Sequence, residues 1–361
     1  MSFWKKNNID RKVIKKEHSI SSEQMREEIE GFFKIKTSGV WIEELPGDAS
    51  DRKFYRVRFQ KKGSYASREH FVLMVLDNGP HAAEIPYINV QRFMKKRNIP
   101  VPEIFHFDFK KGYLFLEDLG DVTYERRVKS VSRSERESYY RWAIDLLVQM
   151  QFECSDQGKD NCIAFEQFFD KEKFMYEFKF FLSNLIEKYY SKKIEDQDSE
   201  IFQRDFSLIA ETLAAEEKCF THRDFHSRNV MIKDGRLILI DFQDARMGCF
   251  QYDLASLLRD SYISLDANLM SSMLDYYLRK WNEMGMKGVD RYKFRKIFDY
   301  ACLQRNIKAA GTFGYLVTVK KLKKYEQYLA PTFEYIHHNL EKYREFRELK
   351  QTLGKYIAEL K

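Results

Sequence analysis

His222-Arg-Asp-Phe-His-Ser-Arg-Asn229 is the stretch on which the reading of this chain turns. Its fixed points are a histidine, an aspartate two residues on, and an asparagine five residues after that. Phosphoryl transfer needs an acidic group to orient an attacking hydroxyl and accept its proton. It also needs oxygen ligands that hold magnesium on nucleotide phosphates. Asp224 suits the first task and Asn229 the second. Val230–Lys233 and Leu237–Ile240 then read as two short strands joined at Asp234-Gly235, and they deliver a further carboxylate, Asp241. Background composition would bring the three fixed residues together in roughly one chain in a hundred of this length. The bland alternative is a loop whose His222 and Asp224 only satisfy backbone amides.

Outward from this loop the chain changes character. Ser21 and Gln24 have capping-box spacing and open a helix to about Lys36. Val40–Leu45, the alternating Phe54–Phe59 and the apolar Phe71–Leu76 read as strands. Ala83–Arg97 reads as a helix, and Ile104–Asp108 with Tyr113–Glu117 as a hairpin around Lys111-Gly112. After Gly120, helical patterns occupy roughly 132–153, 165–189 and 199–216, and again about 252–350. The fold class is therefore α+β and bilobal, with a small antiparallel-sheet N-lobe and a large, mainly helical C-lobe. Residues 1–20 form a basic tail, 21–119 a nucleotide-binding lobe, and 120–361 the helical lobe with the catalytic loop and acceptor site.

Composition narrows the class. Of 361 residues 44% are apolar and 16% aromatic, which excludes a disordered chain, and 15 Gly with 6 Pro exclude a linker-rich one. No apolar run approaches the roughly 18 residues that span a bilayer. The first residues have no apolar core behind their basic ones and do not read as a secretory signal. Five scattered cysteines without a C-x-x-C pair read as reduced thiols, and the expected location is cytoplasmic. The net charge is +7, with six Lys/Arg against one acid in residues 1–16, and 20 against 13 in residues 251–361. The tail reads as a solvated arm. No base-reading module accompanies the basic residues, so no nucleic-acid and no membrane partner is expected. The expected partner is a small-molecule acceptor, which a family resemblance carried by the motifs, not the composition, implies to be an amino sugar, and the expected state is a monomer.

The chain resembles the aminoglycoside phosphotransferase and choline kinase superfamily, which shares the protein-kinase fold. Within it the likeness is to bacterial anomeric sugar kinases of cell-wall recycling. These phosphorylate N-acetylmuramate and N-acetylglucosamine at the C1 hydroxyl. The likeness rests on Pro46-Gly-Asp-Ala-Ser50, Leu116-Glu-Asp-Leu-Gly-Asp121, the catalytic loop, Ile240-Asp-Phe-Gln-Asp-Ala245, Tyr252–Asp260 and Leu303-Gln-Arg-Asn-Ile-Lys-Ala-Ala-Gly311. It implies a protein-kinase-like fold, ATP and Mg2+ as cofactors, Asp224 as base, and Asn229 and Asp241 as metal ligands. It also implies adenine contacts from the backbone of Glu117 to Leu119, and a bracing role for Asp253. Only twelve positions separate Asp241 from Asp253, too few for a peptide-docking activation segment.

Several assignments stay open on the residues alone. The Gly47, Ala49, Ser50 turn either cradles a phosphate or is only a turn. His226 stands where protein kinases carry a phosphate-contacting lysine, and it either touches the γ-phosphate or packs in the loop. The third strand lacks the usual lysine, so Arg52, Lys53 and Arg56 are candidates for neutralising the nucleotide phosphates, with Glu84 as a possible partner. An acceptor bearing a carboxylate suits the basic distal third, where Arg259 and Arg305 are candidates. Gln243 and Asp244 are placed to hydrogen-bond sugar hydroxyls. The competing readings are a kinase for another small hydroxyl acceptor, a nucleotide-binding pseudokinase and a nucleic-acid binder.

Overall fold

The computed structural model describes residues 21–45, 52–61, 69–76, 85–158, 160–285 and 288–361. Their contacts divide them into two compact units. The first takes the described residues up to position 76 together with Phe105–Asp118, and the second takes those of 85–104 with Leu119–Lys361. The helix after the third strand thus belongs with the helical unit, whereas the sequence reading assigned it to the sheet lobe. The basic tail lies outside the described residues.

In the first unit, helix α1 (Ser22–Phe33) starts at Ser21 with the full capping box. Strands β1 (Thr37–Leu45), β2 (Lys53–Lys61), β3 (Glu69–Val75), and further on β4 (Ile104–Asp108) and β5 (Tyr113–Leu116), form one sheet in the order β1-β2-β3-β5-β4. Alternation decides its faces. Tyr55, Val57 and Phe59 of β2 and Phe71, Leu73 and Val75 of β3 turn towards Met25 and Ile29 of α1 and close a core with Phe115. The opposite face carries a cross-strand row of Arg56, Val72 and Leu116.

In the second unit, α2 (Pro86–Lys96) is shorter than its sequence pattern, beginning with Pro86 at its first turn. It packs Phe93 on Phe165 and Phe220, and Tyr87 on Phe242. Helices α3 (Tyr124–Ser130) and α4 (Arg133–Cys154) follow, the latter opening with the capping box of Ser132 and Glu135. Helix α5 (Lys171–Phe181) runs into a π-helical stretch, Leu182–Tyr189, and then comes α6 (Asp196–Ala215). Strands β6 (Lys218–Thr221), β7 (Val230–Lys233), β8 (Arg236–Leu239) and β9 (Arg246–Cys249) make two two-stranded ladders, β6 with β9 and β7 with β8. The helices α7 (Gln251–Leu258), α8 (Ala267–Glu283), α9 (Arg291–Thr318), α10 (Leu329–Lys342) and α11 (Arg347–Tyr356) complete the unit.

Helix α9 is the axis of this unit, packed on α5, the π-helical stretch, α7 and α10. Two glycines allow that approach. A Cβ on Gly311 would stand 2.6 Å from the Cα of Phe181, and one on Gly314 would stand 2.9 Å from the Asn184 carbonyl oxygen. All five cysteines are buried thiols, none of them in a disulfide. No helix among the described residues is long and apolar enough to cross a membrane.

Candidate active site

Residues 222–229 link β6 to β7, and two buried carboxylates, Asp253 within α7 and Asp260 just after it, hold the loop at both ends. Asp253 accepts from the backbone N–H of His222 at 2.6 Å and of Arg223 at 3.0 Å. Asp260 accepts from the N–H of Ser227 at 2.9 Å and of Tyr262 at 2.8 Å. Burial pushes the Asp253 carboxyl up to about 7, against the hydrogen bond from His222. Within the loop, the Asp224 carbonyl accepts from the His226 N–H at 2.9 Å and from Asn229 Nδ2 at 3.0 Å. These bonds satisfy backbone groups that a buried loop would otherwise strand.

The same bonds bring the second carboxylate in. The Ile240 N–H donates to the Asn229 carbonyl at 3.0 Å, and His222 Nε2 donates to the Ile240 carbonyl at 3.0 Å. The end of β8 is therefore tied to the loop, and Asp241, the next residue, follows directly. Asp241 has φ of +63° and an exposed side chain, with Oδ1 accepting from Gln243 Nε2 at 2.8 Å. Because Asn229 donates its amide N–H inward, its side-chain oxygen is left for a cation. One amide oxygen and one carboxylate suit magnesium, which takes one or two protein ligands besides phosphate and water.

Around Asp224 the chain assembles charge. Lys308 Nζ lies 3.0 Å from Oδ1, Arg305 Nη2 3.6 Å from Oδ1, and Arg223 Nε 3.9 Å from Oδ2. Burial pushes the Asp224 carboxyl up, but Lys308, Arg223 and Arg305 outweigh burial and hold it well below the usual carboxylate range. Arg223 adopts φ of +79°, a left-handed conformation that costs a bulky residue about 1–3 kcal/mol. The Asp253 bonds and ion pairs to Glu177 at 3.5 Å and Asp244 at 3.2 Å keep it there. Glu177 also meets Lys173 at 3.7 Å and accepts from Gln304 at 2.9 Å, and Arg246 lies 4.0 Å from Asp244.

The segment Leu303–Gly311 now has a physical content. Gln304 binds Glu177, Arg305 and Lys308 meet Asp224, and Asn306 Nδ2 donates to the Arg259 carbonyl at 3.0 Å. Gly311 lets the helix settle against Phe181. Arg305 and Lys308 are three residues apart and so share a helix face.

The sequence-predicted residues divide as follows. Asp224, His226, Asn229, Asp241, Gln243, Asp244 and Arg305 come together. Gln243 is turned to Asp241, and Asp244 to Arg223. His226 lies edge-on to Tyr262, and burial with Arg305 nearby lowers its pKa to about 3, so it is neutral at physiological pH. Arg259 instead lies over the Tyr335 ring of α10, 4.9 Å from its centroid. In the first unit, Arg56 is clamped by Asp118, Nε to Oδ2 at 2.8 Å and Nη2 to Oδ1 at 3.0 Å, both side chains buried. Arg52 and Lys53 lie at the start of β2, and Glu117 just after β5. Leu119 is buried against Met231 and Ile238. Gly47, Ala49, Ser50 and Glu84 lie outside the described residues. Sequence reasoning missed Lys308, Arg223, Lys173 and Glu177. Lys308 had a signal, its i,i+3 spacing from Arg305, whereas nothing in the sequence ties α5 to the loop.

This geometry agrees with what the chain is similar to. The model of the phosphotransferase enzyme family matches residues 41–287. The chain belongs to that family. Like other members it is a phosphotransferase, and its fold is protein-kinase-like. It is 26% identical over 315 residues to the N-acetylmuramate/N-acetylglucosamine kinase of Neisseria meningitidis serogroup B, covering 86% of this chain and 89% of that one. It is 24% identical to the enzyme of the same name from Pseudomonas aeruginosa, covering 86% and 88%. Among solved structures it is similar in fold to a choline kinase of Cryptosporidium parvum, with a TM-score of 0.62 at 8% identity over 92% of this chain and 99% of that one. An aminoglycoside phosphotransferase solved with ADP bound gives 0.53 at 18% identity over 88% and 99%.

Proposed function

We propose that this family member is an ATP-dependent, cytoplasmic and monomeric kinase that phosphorylates the anomeric C1 hydroxyl of N-acetylmuramate and N-acetylglucosamine. The observation that carries the reading is Asp224, held ionised on a braced loop beside an oxygen-ligand pair, in a chain whose curated relatives bear that name over most of their length. Magnesium, held by Asn229 and Asp241, would neutralise charge on the nucleotide phosphates. Asp224 accepts the hydrogen bond of the sugar hydroxyl and aims its oxygen at the γ-phosphorus. The new bond joins that oxygen to phosphorus as the bond to the bridging oxygen breaks, and the hydroxyl proton passes to Asp224. A carboxylate with so low a pKa is a weak base, so it contributes mainly position. An anomeric hydroxyl is more acidic than an ordinary alcohol and tolerates that.

The charge of the site favours this acceptor class over a polycation. Within 4 Å of Asp224, where the acceptor hydroxyl would sit, stand three cations, Arg223, Arg305 and Lys308, against that one carboxylate. Such a surplus suits a neutral or anionic sugar. Phosphorus NMR of the protein with Mg-ATP and either sugar tests the reading. A sugar-1-phosphate resonance, absent with Asp224→Asn, is expected. ADP without sugar phosphate would remove the acceptor assignment.

A further inference from the structure

We propose that Lys308 is a catalytic residue, the cation that contacts the phosphoryl group in transfer, supplied by α9 because the catalytic loop has none to spare. The proposal rests on the reading above. The loop carries two arginines and two histidines. Arg223 is spent on Glu177 and Asp244. Arg228 is bound to Glu125 at 2.8 Å and to the Tyr328 hydroxyl, and is stacked 3.9 Å above the Tyr262 ring. His226 is neutral, and His222 is turned to the Ile240 carbonyl.

Lys308 differs from all four. Among the described residues its ammonium has one polar partner, Asp224 Oδ1 at 3.0 Å. An ammonium has three N–H donors, so two remain. Lys308 is 13% exposed and Asp224 27%, so both keep an opening to solvent from a buried setting. Arg305 bears on Asp224 from 3.6 Å but also faces the buried carboxylates of Asp253 and Asp260, whereas the Lys308 ammonium is bonded to Asp224. Unused donors on a largely buried ammonium are costly unless an anion arrives to meet them.

Position says which anion. The acceptor oxygen lies within hydrogen-bond reach of Asp224, and the phosphoryl group must approach that oxygen. A cation already bonded to Asp224, with donors unused, therefore stands next to the arriving group. The two sugars of the proposed reaction share no acceptor carboxylate, because only N-acetylmuramate has one. The anion common to both reactions is the phosphoryl. Charge there develops over three oxygens in a loose transition state, where a compact point charge is effective.

The test measures kcat and KM of the wild type, Lys308→Met and Lys308→Arg with both sugars, and the melting temperature of each. Removing one donor to a developing anion typically costs about 10²–10³-fold in kcat. A loss of that size is expected for Lys308→Met with both sugars alike, with KM for ATP changed little, and Lys308→Arg is expected to recover part of it. A loss confined to N-acetylmuramate would overturn the proposal and make Lys308 a reader of the acceptor carboxylate. So would kcat within threefold of wild type. If Lys308→Met does not fold, Lys308→Gln keeps a donor to Asp224 without the charge and is expected to show the same loss, while unchanged kcat overturns the proposal. If the wild type phosphorylates neither sugar, the reading of the acceptor fails. Lys308 is then judged on Mg-ATP hydrolysis with water as acceptor, where an equal loss supports it and an unchanged rate overturns it.

Discussion

The two units each bury a salt bridge, and they do so to different ends. In the sheet unit, Arg56 and Asp118 meet side by side through two hydrogen bonds, both nearly shut from solvent, with His70 4.0 Å from the same carboxylate. In the helical unit, Asp224 collects three cations, none in a paired two-bond geometry, and keeps an edge open. The first arrangement is closed, so its gain is internal. The second keeps an open edge where Lys308 has N–H donors to spare, so part of its electrostatic energy is available only to an incoming anion. Closure distinguishes a pair that holds a fold from a cluster poised for chemistry.

That contrast can be broken most forcefully at the closed pair. Arg56→Met strands a buried carboxylate, and the expected loss is about 3–5 kcal/mol of stability, read by urea denaturation. Adding Asp118→Leu should restore much of it, because both charges then leave together. A single substitution that leaves the denaturation midpoint unmoved would show the pair carries no such load.

The open cluster should respond in the opposite currency. Asp224→Asn is expected to lower kcat by about 10²-fold or more while changing the nucleotide KM little, measured by coupled ADP release. Full activity would remove Asp224 from its role. Gly311→Ala sharpens the link between packing and cluster, since its Cβ meets the Cα of Phe181 and must displace α9. About 1–3 kcal/mol of stability is expected to go, by calorimetry, with a drop in kcat, because Arg305 and Lys308 ride on the same helix. Stability lost with kcat intact would show that the cluster tolerates movement of α9.

The smallest effect concerns pH. The His226 pKa falls from 6.5 to about 3 on folding, because burial disfavours its charged form. The folded state thus resists a proton that the unfolded state takes, so stability present above pH 6.5 drains away as pH falls towards 3. His226→Asn should flatten the melting temperature over that window, and an unchanged slope would place the histidine in water.

The unequal legibility of the two regions has the same root. The capping box at Ser21, the alternation of β2 and the apolar run of β3 are local patterns, and the structure reproduces them. So does the turn at Asp234-Gly235, which pairs Val230 with Leu239. Strands β6 and β9 were not legible. Lys218–Thr221 and Arg246–Cys249 are four residues each without alternation, and only their mutual pairing makes them strands. Helix α3 was missed because seven residues are too few for a periodic signal.

The sequence by itself determined the loop. One spacing placed His222, Asp224 and Asn229 on a short segment and a hairpin delivered Asp241, because covalent connection limits how far such residues can part. It also set the charges to be distributed. The tertiary structure alone decided which charges meet. Asp253 and Asp260 reach back to brace the loop, α5 contributes Lys173 and Glu177, and α9 carries Arg305 and Lys308 to a carboxylate some eighty residues earlier in the chain. Contacts between distant elements follow from how glycines and apolar faces let helices approach, and that packing is written in no local stretch of the chain.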